Sequence, residues 1–100
     1  MSTTKTPKRR REPRRLTRGQ IQKAMPIAAR YRITLWHQDG EWYGQGVEEP
    51  GVMADGPTLV RCARNLREAL AAVVASQMLD GEPIVEPIID RERKRRRKAG

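Results

Sequence analysis

Four carboxylates near the middle of the chain are the best candidates for catalytic residues. Asp39, Glu48, Glu49 and Asp55 have the residue type that holds Mg²⁺ in metal-dependent nucleases. A nuclease needs several carboxylates that converge on its metal ions, whereas these four belong to a predicted turn and a predicted loop. We interpret them as turn-forming and surface residues, and we expect no enzymatic activity, no metal site and no cofactor.

The other reactive side chains do not form a catalytic pattern. His37, the only histidine, is expected beside a hairpin turn and opposite Trp42, where a histidine is usually an ordinary cross-strand residue. Neither serine lies in a nucleophile motif, since Ser2 is terminal and Ser76 falls on a predicted helix. The single Cys62 excludes an internal disulfide and an all-cysteine metal site, and its helical setting predicts a buried thiol in a reducing compartment.

The segment EEPGVMADGPT (residues 48–58) places two glycines ahead of a helix, as phosphate-binding loops do. It lacks both the Gly-Lys-Ser/Thr ending of a P-loop and the three-glycine spacing of a dinucleotide fingerprint. Its acids would repel a phosphate, and its second proline removes a backbone donor near the helix start. We therefore interpret the segment as a structural joint, in which Pro50 and Gly51 turn the chain, Gly56 ends a short strand and Thr58 caps the following helix.

An acidic middle lies between two basic ends. Residues 1–32 carry eleven Lys or Arg against one Glu, residues 33–90 carry three Arg against ten acids, and residues 91–100 carry seven Lys or Arg against one Glu. The basic ends suit a polyanion, because release of condensed counterions drives such binding. The acidic middle suits a basic protein through charge complementarity.

The two basic stretches KRRREPRR and RERKRRRK contain no aromatic residue, which favours contacts to backbone phosphates over base stacking. Solubilising tails and a nuclear import signal are the alternative interpretations. The candidate nucleic-acid-binding residues are Lys8, Arg9, Arg10, Arg11, Arg14 and Arg15 in the first arm and Arg93, Lys94, Arg95, Arg96, Arg97 and Lys98 in the second.

No apolar run approaches the ~20 residues of a membrane-spanning helix. The basic N-terminus also lacks the apolar core of a secretory signal. We therefore expect a cytoplasmic protein with no membrane partner.

A β-hairpin is the clearest local prediction. In YRITLWHQDGEWYGQGVEE, aromatic and β-branched residues flank an Asp-Gly pair, which favours a two-residue turn. Centring the turn there places Ile33 and Leu35 on one face, opposite Gly46 and Gly44. Glycines in that position leave a groove that a helix can approach closely. The other face is mixed and partly aromatic.

The remaining elements complete an α+β fold. The segment VMA predicts a short third strand. A helix is predicted from Thr58 to about Leu79, with Gly81 just beyond its end. The segment EPIVEPIID predicts an edge strand. The order is β-β-β-α-β, a small antiparallel sheet with one main helix packed on one face. The structural candidates are Gly44, Pro50, Gly51, Gly56, Thr58 and Gly81.

The chain divides into three predicted regions. Residues 1–29 form a basic, largely disordered arm with a short helix over residues 17–24, for which Thr17 and Gln20 supply a capping-box pattern and Pro26 an end. Residues 30–89 form the folded domain. Residues 90–100 form a basic, disordered tail.

Residues 30–88 resemble the HicB-like antitoxin family of bacterial toxin–antitoxin pairs. The resemblance is carried by YRITLWHQDGEWYGQGVEEPGVMADGPTLVRCARNLREAL and by GEPIVEP after the helix. In order, these contain a Tyr-led strand, a Gly-aromatic hairpin, a Pro-Gly pair, a Gly-x-Thr segment and a helix with Glu-Ala-Leu. The chain departs from the pattern at Val52, where the family often has Cys, and at Pro57 and Arg61, where it tends to be acidic.

The resemblance implies a degenerate ribonuclease-H-like domain that binds and masks a small, basic, mRNA-cleaving HicA-type toxin. The acidic charge of residues 33–90 independently favours such a partner. Family members often carry a C-terminal DNA-binding domain, and this chain has only a basic tail there. The alternative is therefore an orphan HicB-like module that acts through its arms as a nucleic-acid-binding or regulatory protein, and a homo-oligomer is compatible with either. The candidate toxin-contacting residues are Trp36, Glu41, Tyr43, Glu48, Glu49 and Asp55.

Overall fold

A computed structural model describes residues 16–99 and confirms the predicted α+β class. The candidate residues of the first arm lie outside this range, namely Lys8, Arg9, Arg10, Arg11, Arg14 and Arg15. The elements in chain order are α1 (Arg18–Ala28), β1 (Ile33–Gln38), β2 (Glu41–Gly46), β3 (Met53–Gly56), α2 (Leu59–Asp80) and α3 (Ile88–Ala99).

The sheet has the strand order β1-β2-β3, and neighbouring strands are antiparallel. The predicted register of the first hairpin is confirmed, with Leu35 opposite Gly44 and Trp36 opposite Tyr43. Asp39-Gly40 at the turn has φ angles of 52° and 81°, the left-handed pair that a tight hairpin turn requires. This turn decides which side chains lie on each face, because slipping by one residue would exchange the faces.

Glycines on β2 allow α2 to pack directly on the sheet. A Cβ on Gly44 would lie 2.7 Å from Leu35 Cδ2 and 2.9 Å from Leu66 Cδ2, and one on Gly46 would lie 3.2 Å from Leu70 Cδ2. Leu66 and Leu70 of α2 are fully buried and are one helical turn apart. They fill the space that the missing side chains leave, which is the groove expected from the sequence.

The segment between β2 and α2 is a structural joint. Its turn has Pro50 and Gly51 at the centre, because the Val52 N–H donates to the Glu49 carbonyl at 3.0 Å across them. Thr58 is the N-cap of α2, and its hydroxyl accepts from the Arg61 N–H at 3.1 Å. At the far end of the helix, Gly81 is the C-cap with a left-handed φ of 67°.

The first helix packs on α2 through small residues. Ala24 and Ala28 of α1 and Ala71 and Ala75 of α2 are all buried in one apolar cluster, and both pairs are four residues apart. The capping box at Thr17 is present, as predicted. The helix nevertheless runs to Ala28, beyond the predicted end, and contains Pro26 in its last turns. Burial of the second alanine and a bond from Arg30 Nη1 to the Pro26 carbonyl at 2.9 Å support these final residues.

The C-terminal residues differ from the sequence prediction. Among residues 16–99 the sheet has three strands, and the edge strand expected in EPIVEPIID is not formed. Residues 90–99, which were expected to belong to a disordered tail, instead belong to α3. Its first turn is closed by bonds from the Asp90 and Arg91 N–H groups to the Pro87 carbonyl. The Ile88 N–H donates to a carboxylate oxygen of Glu48 at 2.8 Å, so a residue forty positions away caps this helix.

Tyr31 and Arg67 join the ends of several elements. The Tyr31 ring is 1% exposed, and its hydroxyl donates to the Val85 carbonyl at 2.7 Å. Arg67 Nη1 donates to the carbonyls of Ala28 at 2.8 Å and Tyr31 at 2.6 Å, at the end of α1. Arg67 is half-buried, and its guanidinium supplies a donor to carbonyls that follow the last turn of α1 or lie within it.

Gly56→Ala should destabilise the domain, because a Cβ there would lie 2.8 Å from the Cys62 backbone nitrogen and 3.0 Å from its Cα. Backbone atoms at a helix start cannot move aside as a side chain can. We expect a loss of about 1–3 kcal/mol of unfolding free energy, measured by urea denaturation. Gly51→Ala is the matched control, since nothing lies within 4 Å of its added methyl group. Equal effects of the two substitutions would contradict the packing described above.

Tyr31→Phe should change how stability depends on pH. Burial raises the pKa of the Tyr31 hydroxyl, and the carboxylates of Glu49 and Glu48 raise it further. The unfolded chain therefore loses this proton first as the pH rises, so the native protein loses stability above pH ~10. Tyr31→Phe removes the hydrogen bond and should cost about 1 kcal/mol at neutral pH, but with a smaller alkaline loss. Identical alkaline profiles in denaturant titrations would contradict this.

Candidate functional site

The sheet face turned away from α2 collects four of the six predicted toxin-contacting residues. Trp36 is paired with Tyr43, and Tyr43 is paired with Asp55 on β3. Glu41 lies two residues before Tyr43 on β2, so its side chain emerges on the same side. We call this surface the outer face.

An aromatic pair occupies the middle of the outer face. The rings of Trp36 and Tyr43 are stacked, with centroids 6.1 Å apart and planes inclined by 25°. Both side chains are half-buried, and Gln45 on β2 faces Met53 on β3 beside them. Met53 is 57% exposed, so a large apolar side chain extends the aromatic surface toward solvent.

The rim of the outer face is negatively charged. Glu41 and Asp55 are both exposed, and they flank Tyr43, Glu41 two residues earlier on β2 and Asp55 opposite it on β3. Their field also acts through the sheet on Cys62, which is fully buried on α2. Burial raises the pKa of the Cys62 thiol, and Asp55 and Glu41 raise it further, so this residue is held as a neutral thiol.

The outer face is uncovered in the described part of the chain. Of the three helices between residues 16 and 99, only α2 packs on the sheet, and it lies on the face of Gly44 and Gly46. Stacked aromatic rings beside carboxylates suit a cationic partner, because the rings attract a guanidinium or ammonium group through their faces while the carboxylates form ion pairs. In composition and exposure the outer face therefore suits a basic molecule.

Glu48 and Glu49 lie away from the outer face and bond within the chain. Glu48 accepts hydrogen bonds from the Arg32 N–H and the Ile88 N–H, each at 2.8 Å. Glu49 accepts a longer bond of 3.3 Å from the Gln77 side chain on α2. The structure therefore does not bring these two acids together with the other four candidates.

The candidate cations of the second arm lie on α3. The helix is tied to the start of β1 by ion pairs from Arg30 to Asp90 at 3.1 Å and from Arg32 to Glu92 at 2.8 Å. A third ion pair joins Lys94 to Glu86 at 2.5 Å, and the other cations of the described helix face solvent. Its exposed candidates are Arg93, Lys94, Arg95, Arg96 and Arg97, and Lys98 falls within its range.

Other kinds of site find little support between residues 16 and 99. No group of three or more His, Cys, Asp or Glu side chains in that part is arranged to hold a metal ion. No helix there is long and apolar enough to cross a bilayer. The exposed His37 contacts Trp42, with ring centroids 5.1 Å apart, as the hairpin register predicts.

Sequence reasoning missed Met53 and the role of Arg32. The side of the sheet on which Met53 lies depends on the register between β2 and β3. The loop between these strands contains no dipeptide that predicts a register as clearly as Asp-Gly does for the first hairpin. Arg32 bonds to Glu92 across sixty positions of sequence. No local signal could reveal that pair, whereas the alternation along β1 and β2 was enough to place the aromatic residues.

Comparison with known proteins gives one family and one solved structure. A family model described as UPF0150-like matches residues 20–85. The crystal structure of TTHA0281 from Thermus thermophilus is 29% identical, with 69% of this chain and 89% of that chain covered and a TM-score of 0.47. None of the curated proteins matches.

Glu48→Ala should destabilise the fold, whereas Glu41→Ala should not. Removing Glu48 leaves two backbone N–H groups without their charged acceptor, which should cost about 2 kcal/mol or more. Glu41 is exposed, and its removal should stay within about 0.5 kcal/mol. Urea denaturation gives both values, and amide hydrogen exchange should show faster opening of α3 in Glu48→Ala alone. Equal stabilities would assign both acids to the surface.

Proposed function

The chain belongs to the UPF0150-like family, a family of small proteins associated with toxin–antitoxin pairs, and we propose that it is a non-enzymatic, HicB-like antitoxin. In this proposal it binds and neutralises a small, basic, mRNA-cleaving HicA-type toxin in the cytoplasm. Its basic segments add a weak affinity for nucleic acid. The proposal includes the degenerate ribonuclease-H-like ancestry that the sequence resemblance implies.

The observation that carries the proposal is the uncovered outer face. It combines the stacked Trp36 and Tyr43 with the exposed carboxylates of Glu41 and Asp55. Aromatic residues near the centre of an interface commonly supply most of its binding energy, and charges at the rim speed association and exclude wrong partners. The RNA-binding surface of such a toxin is basic because it contacts phosphates, so the same surface is attracted to this face.

Neutralisation then needs no chemistry from this chain. An antitoxin that covers the RNA-binding surface of its toxin competes with the substrate, and its effect depends only on affinity and concentration. The glycine-backed sheet supports this role because the outer face is held by a rigid hairpin rather than by loops. Binding should therefore require little rearrangement.

The second candidate function is an orphan module that acts on nucleic acid through its basic segments. The exposed cations of α3 favour it, since they are numerous and are presented by a helix. The two functions use different surfaces, so substitutions on one surface should impair one function and leave the other unchanged. The antitoxin role needs the outer face, and the orphan role needs the basic segments.

Charge reversal on the outer face should abolish most toxin binding. We expect the Glu41→Lys/Asp55→Lys variant to bind at least tenfold more weakly to the small basic protein recovered with the tagged chain from its native cells, mainly through slower association. Trp36→Ala should lose about 2 kcal/mol of binding energy as the aromatic anchor. Surface plasmon resonance measures both effects.

The control is Glu68→Lys/Glu82→Lys, which makes the same charge change at exposed positions on and just after α2. Equal weakening by both double variants would mean that net charge, and not the outer face, governs binding. Recovery of no small basic protein from native cells would overturn the antitoxin proposal. Recovery of nucleic acid alone, lost only when the basic segments are removed, would favour the orphan module.

A further inference from the structure

The start of α3 and the start of β1 together form an arginine-lined cavity. Arg32, Ile89, Glu92, Arg93 and Arg96 line a space of ≈ 250 Å³. Arg32 is held in place by its 2.8 Å ion pair with Glu92, and both α3 arginines are exposed. Three guanidinium groups against one carboxylate leave an excess of positive charge, which suits a phosphate because guanidinium forks bind its oxygens in pairs.

The rest of α3 carries cations on every side. At about 100° per residue, the six Lys and Arg residues between positions 91 and 97 are distributed around the whole circumference of the helix. A helix that lies on a membrane surface needs one apolar face, and α3 has large apolar side chains only at Ile88 and Ile89. A site for single strands uses aromatic residues between its cations, and α3 contains none.

A helix charged on all sides fits between two phosphate backbones. The major groove of B-form DNA is about 12 Å wide and admits an α-helix, with a phosphate strand on each flank. The major groove of duplex RNA is too narrow for side chains to read. The exposed part of α3 therefore matches duplex DNA in both shape and charge.

We propose that Arg32, Arg93 and Arg96 form a phosphate-binding site that fixes α3 in the major groove of duplex DNA. Arg32 lies just before β1 and not on α3. A phosphate bound by Arg32 together with the α3 arginines therefore fixes the orientation of α3 relative to the sheet. The remaining cations of α3 contact backbone phosphates along the groove, with little preference for base sequence. This inference rests on the nucleic-acid affinity proposed above for the basic segments and is independent of toxin binding.

The test compares two variants of the full-length chain that lose the same charge. Arg93→Gln/Arg96→Gln removes two of the three site arginines, and Arg18→Gln/Lys23→Gln removes two exposed cations of α1. Glutamine has nearly the helix propensity of arginine and lysine, so circular dichroism should show both variants folded. Fluorescence anisotropy with a labelled duplex DNA of mixed sequence gives Kd between about 50 and 200 mM salt.

We expect the α3 variant to bind about tenfold more weakly or worse. Its log–log salt slope should be shallower by about 2, because each lost phosphate contact removes about 0.9. The α1 variant should stay close to the unsubstituted chain. Duplex RNA of the same length, and vesicles of phosphatidylserine with phosphatidylcholine, should bind more weakly than DNA and respond less to the α3 substitutions.

Equal weakening by the two variants would overturn the site and leave only diffuse attraction by the basic segments. Duplex RNA or vesicles bound as tightly as DNA, with the same loss in the α3 variant, would overturn the assignment to DNA. No measurable binding of the intact chain to DNA would overturn both this inference and the proposed nucleic-acid affinity. The antitoxin proposal would stand in each case, provided that the toxin binds.

Discussion

The close approach of α2 to the sheet is the constraint on which the other features of this fold depend. It requires positions without a side chain, and Gly44, Gly46 and Gly56 supply them where Leu66, Leu70 and the Cys62 backbone would otherwise collide with a Cβ. The sheet consists of three short strands and offers a small apolar area. The close approach lets α2 bury its apolar stripe against this area, which a domain of this size needs for stability. Between residues 16 and 99 no helix packs on the opposite face of the sheet, so its aromatic and acidic residues are accessible to a partner.

Much of this arrangement could be predicted because the signals are local. Asp39-Gly40 decided the register of the first hairpin, and the alternation along β1 and β2 then assigned the two faces. Thr58 and Gly81 marked the ends of the main helix. The predictions differ from the structure where a distant residue decides: Glu48 caps α3, and the buried alanine face of α1 outweighs the helix-breaking tendency of Pro26. Such contacts leave no trace in a short window of sequence.

The acids of the chain perform different tasks even though their residue type is the same. Glu41 and Asp55 stand on exposed strand positions, whereas Glu48 completes the hydrogen bonding of two backbone groups. From net charge alone, all of these acids would be assigned to one negative surface. Their exposure and hydrogen-bond partners separate them, because Glu48 is half-buried and each of its oxygens holds a backbone N–H of the chain, whereas the carboxylates of Glu41 and Asp55 are open to solvent.

The carboxylate of Glu48 also has a consequence for communication within the molecule. Its two oxygens join the N–H before β1, whose strand carries the aromatic anchor of the outer face, to the first N–H of α3. One side chain thus connects the strand that carries part of the acidic outer face to the basic helix α3. If a ligand at either surface shifts this shared carboxylate, thermodynamic reciprocity requires that the second ligand alter the affinity for the first by the same factor. In that case the joint between hairpin and helix would couple the two surfaces, because the same Glu48 side chain is bonded to the backbone at the start of both β1 and α3.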